Sequence, residues 1–255
     1  MKFSKYKKEN NVSYALGATL TFELLKTHPE WITRIFIRTS AHLENGLADL
    51  QRICMKKNIN VQVEDKPFNV LAAKGNCFVI AEFEKHTQKL NQNDNHIVLV
   101  NPSDAGNIGT IIRTAVGFNI TNIAIIERTE KGDEKTALDF FDPKSVRASM
   151  GALFHINIEH FPLIEDYVNT FPKHKKYCFM LQDGSQSIHS ISISEPYSLI
   201  FGNEATGLSD NYANIGRSVI IPQSNNIDSF NLSMAAGIAM YEFTKKDFNG
   251  NSERR

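Results

Sequence analysis

Long apolar runs, paired cysteines and metal-type histidine spacings are what this 255-residue sequence lacks. Its purely apolar stretches, such as residues 97–100, fall far short of the roughly 18 residues a membrane helix needs. The opening Met1-Lys-Phe-Ser-Lys-Tyr-Lys-Lys8 has no apolar core of the signal-peptide kind, so a cytoplasmic protein is expected. Cys54, Cys77 and Cys178 are scattered, odd in number and outside any CxxC or Cys/His spacing, which argues against a disulfide framework or structural zinc. The 8 histidines form no HxH or HxxxH cluster, and no catalytic metal is expected. Neither a GxGxxG fingerprint nor a GxxxxGK[ST] loop occurs, so a dinucleotide fold and a P-loop nucleotide site are both unsupported.

What is present is enough apolar material, 42% of residues, for ordinary cores in one large or two small domains. The formal net charge of zero conceals a gradient. Residues 1–92 hold 14 Lys+Arg against 9 Asp+Glu, a balance of +5, and residues 93–255 hold 14 against 19, a balance of −5. Such asymmetry is one mark of nucleic-acid contact.

Along the chain, residues 1–12 read as a loose basic arm, and residues 13–27 as a helix with Leu16, Leu20 and Leu24 on one face, ended by His28-Pro29. Residues 34–38, 60–63 and 77–81 read as strands, and residues 43–57 and 67–74 as helices, which together make a small αβ domain. Residues 82–95 are polar and without periodicity, and mark a linker. A domain boundary is therefore placed between residues 1–92 and 93–255. In the second domain, strands are expected at 96–100, 122–126, 155–158, 177–181, 197–201 and 218–221 with helices between most of them, an alternation that argues a parallel sheet covered on both faces.

Three of those strands run into polar loops. The first is Asn101-Pro-Ser-Asp-Ala-Gly-Asn-Ile-Gly-Thr-Ile-Ile-Arg113, read as a glycine-bearing turn with Asn107 in it and a helix carrying Arg113 from about Thr110. The second is Gly202-Asn-Glu-Ala-Thr-Gly-Leu-Ser209, and the third is Ile221-Pro-Gln223 leading to Ser229-Phe-Asn-Leu-Ser-Met-Ala-Ala236. Ligands of parallel sheets sit at the carboxyl ends of strands, where all three loops lie. Gly202, Asn203, Glu204 and Gly207 offer exposed backbone to a purine edge, and Pro222 fixes a turn where Ile221 offers its main chain. Such loops suit a cofactor without phosphates.

In that order the three motifs resemble the SpoU-type (TrmH-like) RNA 2′-O-ribose methyltransferases of the SPOUT superfamily. The resemblance implies a SPOUT-type trefoil-knotted parallel-sheet domain that binds S-adenosyl-methionine, preceded by a small α/β domain like a ribosomal protein that binds the RNA substrate. It implies cofactor contacts at Gly202, Asn203, Glu204, Ile221, Pro222, Phe230 and Leu232, and a reaction centre of Asn107, Arg113, Glu204, Ser229 and Asn231. Arg147-Ala-Ser-Met-Gly-Ala-Leu-Phe-His155 looks like the intermediate segment of ribosomal-RNA-directed members. The chain departs from the common pattern at Asp104-Ala-Gly-Asn107, which lacks a proline after the aspartate, and at Phe230, where leucine is usual.

Methyl transfer to a ribose hydroxyl needs orientation and a place for developing charge. Arg113, always protonated, is a poor base and suits a phosphate and the developing alkoxide, while Asn107, Ser229 and Asn231 suit orientation of the ribose. Proton acceptance falls to water or to Glu204. Bland roles stand beside these: Glu204 as a helix-start carboxylate and Ser229 as a helix N-cap. Relatives pair their knotted domains, and residues 231–244 carry Met234, Ile238, Met240, Tyr241 and Phe243, so a homodimer is expected. Ribosomal RNA is the favoured substrate, with transfer RNA and a catalytically silent RNA-binding protein as alternatives.

Overall fold

Glycine at position 17 splits what the apolar spacing reads as one helix. In a computed structural model describing residues 3–41, 46–72, 76–128 and 138–248, residues 12–16 form strand β1 (Val12–Leu16) and only then does helix α1 (Ala18–Thr27) begin. Gly17 joins them at φ 106°, a left-handed conformation that suits glycine. Leu16 and Leu20 therefore lie in different elements, and the helical spacing expected from residue 13 is coincidental. After β2 (Ile32–Ile37), α2 (Gly46–Lys56), β3 (Val61–Val63), α3 (Lys66–Leu71) and β4 (Val79–Glu84), the first sheet has the order β1-β4-β2-β3. Its β1/β4 and β4/β2 pairs are antiparallel and its β2/β3 pair parallel. Residues 43–45 and 73–74, included in the expected helices, lie outside the described residues.

The arm expected to be loose is packed from Phe3 onward. The Phe3 ring lies 5.8 Å from that of Tyr14 and 5.9 Å from that of Phe36, and Tyr6 donates a hydrogen bond to Asp139. Aromatic residues among the lysines, not overall polarity, decide its order.

A second sheet is built from β5 (His96–Val100), α4 (Ala105–Gly117) and β6 (Asn122–Ile126), then β7 (Asn157–Phe161) after a short helix α5 (Pro143–Ala148). The chain continues through α6 (Ile164–Thr170), β8 (Lys175–Phe179), β9 (Gln186–Ser187), β10 (Tyr197–Phe201), β11 (Arg217–Ile220) and α7 (Leu232–Phe248). All pairs are parallel in the order β7-β6-β5-β10-β8-β11-β9. Strands β5, β6 and β10 are buried along their whole length, as befits parallel strands covered on both faces. Among the described residues, no helix is long and apolar enough to cross a membrane.

The single boundary expected at 92/93 is replaced by a discontinuous one. Two compact units form: Met1–His86 with Asp139–His155, and Thr87–Leu138 with Ile156–Arg255. Residues 139–155, including α5, thus belong with the first sheet. Phe141 and Phe154 pack edge-on against Phe83 with ring centroids at 6.4 and 5.4 Å, Lys85 pairs with Asp139 at 3.1 Å, and His155 Nε2 lies 2.7 Å from Glu23. These partners are more than fifty residues distant in sequence, so no local pattern could announce them. The segment 147–155, read as an intermediate part of the second domain, is structurally part of the first unit.

Candidate active site

Within the second unit, β5, β10 and β11 end on the same edge of the sheet, and the loops that follow them are stitched by side chains. The first loop turns into α4 at Asp104, whose carboxylate accepts from Asn107 N–H at 2.7 Å as an N-cap. The helix therefore starts at Ala105, five residues earlier than its apolar spacing suggests, and Gly106, Asn107 and Gly109 are helical. From Asn107 to Arg113 is about 9 Å of rise and about 240° of rotation. The two side chains consequently face different ways: Asn107 lines a cavity of about 580 Å³, whereas Arg113 is exposed outside it and makes no hydrogen bond or ion pair among the described residues.

The second loop is pinned by close backbone approach. A Cβ at Gly202 would lie 2.1 Å from the Gly207 carbonyl carbon, so only glycine fits, and Gly207 N–H in turn donates to Asn203 O at 2.9 Å. Asn203 Nδ2 donates to Asn101 O at 2.7 Å, tying this loop to the first. Glu204 completes the tie. One carboxylate oxygen accepts from Ser103 N–H at 3.2 Å and Ser103 Oγ at 2.8 Å, and the other from Asp104 N–H at 3.1 Å and Asn107 Nδ2 at 3.3 Å. Burial raises the pKa of this carboxyl, but the backbone and side-chain donors outweigh it and hold the group below its ordinary value. A saturated, stabilised carboxylate is a weak base.

The third loop joins by Asn231, whose Nδ2 donates to Asn107 Oδ1 at 3.0 Å. Its Oδ1 accepts from Ser233 N–H at 2.9 Å and Ser233 Oγ at 2.7 Å, which makes Asn231 the cap of α7. The capping role expected for Ser229 is thus taken by Asn231, two residues on, and Ser229 stays exposed at the cavity wall. Glu204, Asn107 and Asn231 form one continuous chain of bonds across all three loops.

Of the residues singled out from sequence, Asn107, Gly202, Asn203, Glu204, Ile221, Ser229, Phe230, Asn231 and Leu232 line the cavity, and Arg113 and Pro222 do not. Sequence reasoning missed Phe179 and Leu181 at the end of β8, Gln223 and Asp228 in the third loop, and the donor Ser103. The polar run 223–229 is visible in the sequence, but which of its members face the cavity is set by tertiary structure. Among the described residues no lysine, arginine or histidine lines the cavity, so those residues offer no side chain suited to a phosphate. Its size falls in the range of about 300–1,000 Å³ usual for small-molecule sites.

Residues 94–241 match the profile of the SpoU rRNA Methylase family. The chain belongs to that family. It is an S-adenosyl-methionine-dependent RNA methyltransferase of the SpoU group, with the large parallel sheet found in its structural neighbours. A crystal structure of an S-adenosyl-methionine-bound rRNA methyltransferase from Sinorhizobium meliloti superposes with a TM-score of 0.77 at 25% identity, covering 92% of this chain and 88% of that one. A 23S rRNA (uridine(2479)-2′-O)-methyltransferase of Streptomyces viridochromogenes is 28% identical over 58% of this chain, which spans 52% of that protein. A putative tRNA (cytidine(34)-2′-O)-methyltransferase of Bacillus subtilis is 29% identical, matching 58% of this chain and 89% of its own length.

The residues present suit the cofactor of this SpoU-family enzyme. Apolar walls from Phe179, Leu181, Ile221 and Phe230 suit an adenine ring, the half-buried backbone at Gly202 suits its edge, and the anionic lining suits a sulfonium cation.

Proposed function

We propose that this SpoU-family enzyme methylates a ribose 2′-hydroxyl in structured ribosomal RNA, acting as a cytoplasmic homodimer. The observation that carries the reading is the Glu204–Asn107–Asn231 chain, which fixes three strand-end loops around one anionic cavity. S-adenosyl-methionine supplies, when bound, a methyl group activated on sulfur. Gly202, Asn203, Ile221, Phe230 and Leu232 hold that cofactor in the cavity, and Pro222 shapes the loop from behind. Glu204 and Asn107 keep the first loop closed on the second, so their contribution is to geometry that is already formed before substrate arrives. Ser229, exposed and uncommitted to a cap, orients the ribose. Arg113, exposed on α4, holds an RNA phosphate and stabilises the alkoxide as the hydroxyl proton leaves to water. The trefoil knot implied by the resemblance is part of the same proposal.

Ribosomal RNA is favoured over transfer RNA by coverage. The Bacillus subtilis tRNA relative is matched over nearly all its length by less than two thirds of this chain, whereas the Sinorhizobium meliloti rRNA enzyme is matched over both units. Residues 1–86 hold 13 Lys+Arg against 9 Asp+Glu and residues 139–155 hold two of each, and this +4 balance supports a polyanion contact in the first unit. For the homodimer, Met234 and Tyr241 on α7 are each 60% exposed, while Met240 and Phe243, counted from sequence as surplus apolar surface, are buried inside the unit. The dimer proposal thus rests on Met234 and Tyr241, with Phe248 beside them. Mapping ribose methylation in ribosomal and transfer RNA from cells with and without the protein tests the assignment. Loss of a single ribosomal mark is expected; loss of a transfer-RNA mark, or an unchanged map, contradicts it.

A further inference from the structure

Among the described residues two carboxylates line the cavity and no cationic side chain does. They are not equivalent. Glu204 spends both oxygens on Ser103, Asp104 and Asn107. The Asp228 carboxylate makes no hydrogen bond or ion pair among the described residues, and is the uncommitted negative charge at the site.

Its backbone, by contrast, is held. The connection from β11 to α7 runs from residue 221 to residue 231, longer than the usual two to about six residues between a strand and a helix, and is exposed from 224 to 229. Gln223 Nε2 closes it by donating to Asp228 O at 3.0 Å and Ile227 O at 3.3 Å. These bonds hold the Asp228 backbone, while its carboxylate stays exposed at the cavity wall. A carboxylate kept at the wall of a ligand cavity benefits from such restraint, because Coulomb attraction falls with distance and with solvent screening.

Methyl transfer breaks a carbon–sulfur bond, whose electron pair stays on sulfur, and forms a carbon–oxygen bond to the ribose; the hydroxyl proton passes to water. The cofactor left behind has one positive charge fewer than the one that entered. We propose that Asp228, positioned by Gln223, is the residue by which this site distinguishes the sulfonium cofactor from its neutral thioether product, favouring entry of the first and release of the second. The inference rests on the cofactor assignment given above and adds a specificity role to a residue outside the reaction centre.

Calorimetric titration of the full chain with S-adenosyl-methionine and, separately, S-adenosyl-homocysteine tests it. Asp228→Asn should weaken the sulfonium ligand about two- to fivefold, the range of a partly exposed ion pair, and leave the thioether ligand unchanged. Asp228→Glu should restore the preference, and the wild-type preference should shrink as salt shortens the screening length. The amino-acid portion is common to both ligands, so an equal loss for the two, or no change in either, overturns the proposal. Failure of the wild-type chain to bind either ligand would instead overturn the cofactor assignment.

Discussion

The two ends of the parallel sheet each carry a polar network, and they differ in what the network encloses. At the carboxyl ends of β5, β10 and β11, Glu204, Asn107 and Asn231 join loops that surround a cavity. At the opposite end, His96 and His174 are buried, and each directs Nε2 at a backbone carbonyl, Asn91 O at 2.8 Å and Gln92 O at 3.0 Å. Between them Tyr167 lies 2.9 Å from His96 Nδ1 and 2.6 Å from Ser198 Oγ, which is 3.0 Å from His174 Nδ1. Burial pushes His96 down to about 3 and lowers His174 as well. A strongly shifted titration is often read as a functional sign. Here the strong shift belongs to the end that ties a connecting segment to the sheet, while at the cavity end the Glu204 carboxyl is held below its ordinary value.

The largest expected effects break the first network. Gly202→Ala should abolish cofactor binding and destabilise the fold by at least about 1–3 kcal/mol, because the added methyl meets Gly207 backbone at 2.1 Å; circular-dichroism melting and calorimetry check this. Arg113→Ala should lower turnover by two or more orders of magnitude while leaving cofactor affinity within about twofold, since the side chain is outside the cavity. A large loss of cofactor affinity in a folded variant would show that the assignment to RNA is wrong. Glu204→Gln keeps the shape and removes the charge, converting one acceptor oxygen to a donor that faces other donors. A drop in turnover of about 10–100-fold is expected in steady-state assays, from loss of hydrogen bonds to an ionised group.

A smaller effect distinguishes the opposite end. Histidines whose folded pKa is depressed bind fewer protons than in the unfolded chain, so they contribute stability above the unfolded pKa of about 6.5 that is lost as pH falls toward the folded value near 3. Melting temperature should decline steadily between pH 6.5 and 4, and His96→Gln should flatten the decline. Cofactor affinity at neutral pH should be unaffected by that variant. If it falls, the two ends are coupled and the contrast drawn between them fails.

The second unit was far more legible in the sequence than the first. Continuous apolar runs mark buried parallel strands, so β5, β6 and β10 coincide with the residues read from sequence. Strand β8 lies two residues earlier than expected because Lys175 and Lys176 do not look like strand residues, and the two-residue β9 carries no pattern. In the first unit, β1 was hidden by spacing that mimics a helix until Gly17 interrupts it. At the site, residue identities were readable from the motifs, but partners were not. The flanking glycines of Asn107 suggest a turn, whereas the Asp104 cap draws it into α4. That Asn231 caps α7, that Glu204 is saturated and that Asp228 is not are facts of three-dimensional contact.

Amide chemical shifts recorded as S-adenosyl-methionine is added to isotope-labelled protein test the central claim most directly. Perturbations should concentrate at Gly202, Asn203, Ile221, Phe230 and Leu232 and leave His96, His174 and Ser198 unmoved. Changes centred on the histidine end, or a spectrum that does not respond to the cofactor, would contradict the placement of the methyl-transfer site at the carboxyl edge of the sheet.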